Sequence, residues 1–163
     1  MNLAHIHLLS NHIPILGVFF GILIFLQGTL SRNQSVKSAA YFIFIVSAIG
    51  AVIAYTTGEP AEDLVEKISG ISKSMIEAHE EAATLAYIAI GLLGVLSLSG
   101  IILSMVRPKL NSKISLLVGI LAILSLGLMA RTGYLGGKIR HSEFNPTTAM
   151  PSTPEMPSSL SHD

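Results

Sequence analysis

The chain has 163 residues, half of them hydrophobic and only 12% charged, with a formal net charge of zero and a mean hydropathy of +0.63. That balance indicates a membrane protein. The absence of cysteine excludes disulfides, thiolate metal ligands, iron–sulfur clusters and covalent c-type haem, and scattered basic residues with no net positive charge argue against a nucleic-acid partner.

The N-terminal residues hold His5, His7 and His12 but no Lys or Arg ahead of the first apolar run. They lack the charged region of a cleaved signal peptide, so that run is expected to be a permanent span. Four stretches are long enough to cross a hydrocarbon layer of roughly 30 Å: 13–30, 39–56, 82–106 and 114–130. They are continuous rather than alternating, which favours helices over barrel strands. The expected fold is all-α, an integral membrane four-helix bundle within residues 1–144.

The connection 31–38 carries Arg32 and Lys37, and 107–113 carries Arg107, Lys109 and Lys113, with no acid in either. Charge bias places both in the cytoplasm. The other segments hold all ten acids and would lie on the periplasmic side of a bacterial inner membrane with both termini. Within the second connection, Thr57-Gly-Glu-Pro60 is expected to break the helix. Leu64, Val65 and Ile68 among charged neighbours then suggest a short amphipathic helix on the interface. His79 follows near the outer mouth of the third span, with Ala78, Ala82, Ala83 and Ala86 on nearby turns. Those alanines fit either a groove for a flat ligand or ordinary helix packing. Gly136-Gly137 after the fourth span are read as a turn that carries His141 back toward the bundle mouth, or else as a helix cap. From 145 onward the Pro, Ser and Thr content predicts a disordered tail.

Five histidines from three segments thus share one face: His5, His7, His12, His79 and His141. A single histidine near a helix end is usually a solvated or capping group; five together point to a metal or haem site. On one helix His5 and His12 share a side, while His7 is rotated by about 140° from His12.

The segments His5-Ile-His7-Leu-Leu-Ser-Asn-His12-Ile-Pro-Ile, Thr57-Gly-Glu-Pro-Ala-Glu, Ile76-Glu-Ala-His-Glu80 and Gly136-Gly-Lys-Ile-Arg-His-Ser-Glu143 resemble those of a large family of four-span bacterial membrane proteins. The likeness covers about residues 3 to 144. Ile13 stands where the wider pattern has Phe. The resemblance implies b-type haem or work beside cytochromes, with His12, His79 and His141 at the family's histidine positions.

A low-spin electron carrier needs two axial imidazoles from facing helices and cations for the propionates. The expected pairing is His12 with His79, with Arg131 or Arg140 reaching the propionates. His7 and His141 would hold a second haem if there are two, and His5 is either an alternative ligand or a donor behind one. Because every candidate ligand lies on one face, electron exchange is expected on the outer side only, between membrane quinol and a periplasmic or partner-subunit cytochrome. This suits an electron-transfer component more than a stand-alone enzyme. Two other readings stay open. One is a divalent transition metal held by His12, His79, His7 or His141 with Glu77, Glu80 or Glu81; the other is an accessory or scaffold subunit docking through its acidic second connection. Gly91, Gly94 and Ser97 would pack on a neighbour helix in the bundle or in another subunit, leaving homo- and hetero-oligomers equally open.

Overall fold

The computed structural model describes residues 3–65 and 73–140. The expected disordered tail, His141 and residues 66–68 of the expected amphipathic helix lie outside them. The described chain forms α1 (Leu3–Ser10), α2 (His12–Leu30), α3 (Gln34–Val65), α4 (Lys73–Val106) and α5 (Pro108–Arg140). Four helices are long and apolar enough to cross a membrane, α1 and α2 together making the first. The fold is an all-α bundle of four such helices, as the composition requires.

α1 and α2 are one helix interrupted at Asn11, and the cause lies three residues further on. Pro14 has no N–H to give the carbonyl of Ser10, and its ring crowds that carbonyl. The local bonds reorganise: the Asn11 N–H and the Ser10 hydroxyl both donate to the His7 carbonyl, at 3.0 and 3.2 Å. The junction packs on α3, where a Cβ on Gly50 would stand 2.6 Å from Ile13 and 3.3 Å from Pro14.

The α2–α3 turn is closed by main-chain bonds. The Asn33 N–H donates to the Gly28 carbonyl (2.9 Å) and the Arg32 N–H to the Thr29 carbonyl (3.3 Å), a Schellman ending. Arg32 takes the left-handed position usually given to glycine, with φ 52°. Asn33 then caps α3, its Oδ1 accepting from the N–H groups of Ser35 and Val36, which satisfies donors that lipid cannot.

α3 is the central element. It packs on α1, α2 and α4, while α5 completes the ring against α4 and α2. Its buried Tyr41 and Phe44 fit into glycine notches: a Cβ on Gly21 of α2 would meet the Phe44 ring at 2.5 Å, and one on Gly100 of α4 the Tyr41 ring at 2.8 Å. One turn deeper, a Cβ on Gly94 would lie 2.6 Å from that of Ala48. Such close approach lets dispersion hold helices together where lipid supplies no hydrophobic drive. Val18, Ile90, Leu93 and Val118 complete the core, while Phe20, Val95, Leu116 and Ile123 face outward, as lipid contact allows. Several hydroxyls in the spans bond back to their own helices, Thr29 to Phe25 and Ser47 to Ile43 for example.

Two expectations for the ends of the spans are corrected. Thr57-Gly-Glu-Pro60 does not break the helix: α3 continues through it to Val65, so residues 61–65 are helical as its extension, not as a separate element. The Thr57 hydroxyl donates to the carbonyls of Ile53 and Ala54, holding the turn before Pro60 in helical register. Gly136-Gly137 likewise make no turn, since α5 runs through both to Arg140. The reason at Gly136 is side-chain room rather than backbone freedom, as the site below makes plain.

Candidate histidine site

His5, His7, His12 and His79 lie at the same end of the bundle, and the structure sorts them. The seat of α1 on α3 turns His7 inward, half-buried, and leaves His5 and His12 exposed. His12 turns back on its own helix, its Nδ1 bonding the Leu8 carbonyl at 2.7 Å.

His7 reaches from α1 to α3, where its Nδ1 meets the Ala54 carbonyl at 2.8 Å. His79 reaches from α4 to α5, where its Nδ1 meets the Thr132 carbonyl at 3.0 Å. A carbonyl only accepts, so in both rings Nδ1 carries the proton and donates it. The neutral imidazole then keeps its free lone pair on Nε2. Both rings thus keep Nε2 free at the same end of the bundle.

The same device builds both anchors. In a helix a side chain lies over the turn before its own Cα, so the residue four positions after a carbonyl covers it. Four residues after Ala54 stands Gly58, and four after Thr132 stands Gly136. A Cβ on Gly58 would lie 3.5 Å from His7 Cε1, and one on Gly136 only 3.1 Å from His79 Cε1 and 3.3 Å from its Nδ1. The glycines open a helical carbonyl to an imidazole from the neighbouring helix, and this occurs twice at one bundle end.

The other expected participants are placed differently. Ala82 and Ala86 are buried in helix packing, so the groove beside His79 is filled by neighbouring helices. Glu77, Glu80 and Glu81 are exposed, and no group of three or more His, Asp or Glu side chains suited to a metal ion forms among the described residues. Arg131 is exposed and Arg140 ends α5. Beside them, Lys138 stands over the Tyr134 ring at 4.7 Å. Sequence reasoning missed Ala54, Thr132 and Gly58, because a main-chain acceptor leaves no mark on residue type; the glycine four positions on is the one signal available.

Comparison with protein-family models, with curated proteins and with solved structures gave no match to this chain. The geometry of the paired histidines therefore carries the functional reading.

Proposed function

We propose that this chain is a membrane b-type haem protein whose iron would be held by His7 and His79, serving electron transfer at the histidine end of the bundle. The observation that supports it is the matched pair of imidazoles, each held at Nδ1 by a carbonyl of the adjacent helix. An N–H donated away from the metal fixes tautomer and ring orientation and makes Nε2 a better donor. Bis-imidazole ligation needs two such groups, whereas a structural metal ion bound by side chains alone needs about four; the donor set fits the former.

When bound, a haem supplies reversible one-electron transfer. The protein's part is to hold the imidazoles and to keep their orientation fixed. His7 ties the site to α1 and α3, and His79 ties it to α4 and α5, so all four spans bear on one pair of ligands, α2 through its junction with α1. Arg131 is the described cation nearest in sequence to Thr132, and we assign it to the propionates. Charge bias places this end outside the cytoplasm, so the electron donor is membrane quinol and the acceptor a redox centre on the outer face.

The test is pyridine haemochrome quantitation and a reduced-minus-oxidised spectrum on protein purified in detergent from haem-replete cells. The expected result is stoichiometric b-type haem with sharp low-spin bands, reducible by a quinol. Colourless protein would overturn the proposal.

A further inference from the structure

The opposite end of the bundle holds a second polar cluster that the histidine site does not use. α3 and α5 both start there and run the same way, diagonally across the bundle, so Gln34, Lys37 and Tyr41 on one helix stand level with Asn111 and Ser115 on the other. Lys37 turns inward, its ammonium donating to Ser115 Oγ at 3.4 Å. Tyr41, one turn deeper, is fully buried, and its hydroxyl has no partner within hydrogen-bonding geometry. Gln34 Nε2 and Asn111 Oδ1 are also buried without a partner. Asn111 is more than nine-tenths buried.

Two features define what would satisfy this cluster. The charge of Lys37 has no counterion from its own end of the chain, because no acid precedes Glu59 and none falls between Glu81 and Glu143. The unused groups are mostly donors: the Gln34 amide, the Tyr41 hydroxyl and the remaining ammonium protons. The Asn111 amide presents oxygen or nitrogen according to the partner it meets. A buried polar group without a partner costs about 1–3 kcal/mol, so several in one place mark a site completed by another molecule.

We propose that this cluster binds a phosphate group through Lys37, Ser115, Tyr41 and Asn111. A phosphate offers both the negative charge and the several acceptor oxygens that this donor-rich cluster lacks. The position at the basic end of a transmembrane bundle, with Arg32 and Arg107 near it in the connections, suits the headgroup of an anionic phospholipid. Free inorganic phosphate has the same chemistry, and the experiment separates the two. The proposal is independent of the haem reading.

The test is native mass spectrometry of delipidated protein titrated with phosphatidylglycerol or with phosphatidylcholine, repeated in the presence of inorganic phosphate. Wild type should retain phosphatidylglycerol in preference. Lys37→Met should weaken that binding roughly fivefold, the effect of one basic residue at a lipid surface, while Lys37→Arg keeps it. Lys113→Met, at an exposed lysine of the same end, serves as control and should leave most of the preference. Thermal unfolding of each variant in zwitterionic detergent checks the fold, and Ser115→Ala, which leaves every charge in place, should weaken binding in the same direction should Lys37→Met fail to fold. Competition by inorganic phosphate would identify free phosphate as the occupant, and its absence the lipid headgroup. Equal binding of both lipids with no uptake of phosphate, or an equal loss in Lys113→Met and Lys37→Met, would overturn the proposal.

Discussion

Replacing Gly136 with alanine separates the stability of the bundle from the integrity of the histidine site. The added Cβ would stand 3.1 Å from His79 Cε1 and 3.3 Å from Nδ1, inside the 3.5–4.0 Å or so at which carbon atoms pack comfortably. The imidazole must retreat by a few tenths of an ångström, stretching the 3.0 Å bond to the Thr132 carbonyl past about 3.2 Å, where such bonds weaken. Loss of that bond costs about 1 kcal/mol. Alanine in place of glycine inside a helix returns about 1 kcal/mol. The two nearly cancel, so Gly136→Ala should unfold within about 0.5 kcal/mol of wild type by these figures, yet show a broadened haem spectrum and reduced haem content. Gly137→Ala is the control, because nothing lies within 4 Å of that position. It should gain up to about 1 kcal/mol from helix propensity with an unchanged spectrum. Gly58→Ala, whose Cβ would make an ordinary 3.5 Å contact with His7, should fall between them. Unfolding in a denaturing detergent titration, read beside the visible spectrum, measures both quantities. Haem binding that is the same in Gly136→Ala as in Gly137→Ala would refute the reasoning.

Other substitutions test the frame around the site. Gly94→Ala places its methyl 2.6 Å from the Ala48 Cβ and should destabilise the bundle by about 1–3 kcal/mol, whereas Gly91→Ala, with nothing within 4 Å, should be neutral or slightly stabilising in the same titration. Arg32→Gly relieves a left-handed residue and should raise stability by about 1 kcal/mol; a decrease would mean that the guanidinium contributes more than its backbone strain removes. Pro14→Ala restores the N–H that the Ser10 carbonyl lacks, makes the helical bonding continuous through the α1–α2 junction and should shift His7 off the Ala54 carbonyl. Its haem content should fall as far as that of His7→Ala, and wild-type content would show that the interruption at Asn11 does not position His7.

The fold was legible because four apolar runs separated by basic or acidic connections leave few alternatives. The helix ends were less so. Thr57-Gly-Glu-Pro60 and Gly136-Gly137 carry the residues that stop helices in water, but the Thr57 hydroxyl holds one turn closed and the neighbouring His79 occupies the space beside the other. The rotation of about 140° between His7 and His12 was readable, and it is what sorts them into an inward and an outward ring. Which of the two turns inward was not readable, because the seat of α1 on α3 sets it. His79 was expected to pair with His12; His12 is exposed and bonds the Leu8 carbonyl, whereas His7 is half-buried at the same end of the bundle as His79. The anchoring carbonyls of Ala54 and Thr132 were invisible, since every residue has a carbonyl, though a glycine four positions downstream in both helices is a pattern that can be searched for.

The central claim is that His7 and His79 together hold one metal centre while His12 does not. Low-temperature electron paramagnetic resonance of the oxidised protein reports axial ligation directly. The account predicts a low-spin bis-imidazole signal in wild type and in His12→Ala, lost or converted to high spin in His7→Ala and in His79→Ala. A signal that survives in His7→Ala but disappears in His12→Ala would contradict it.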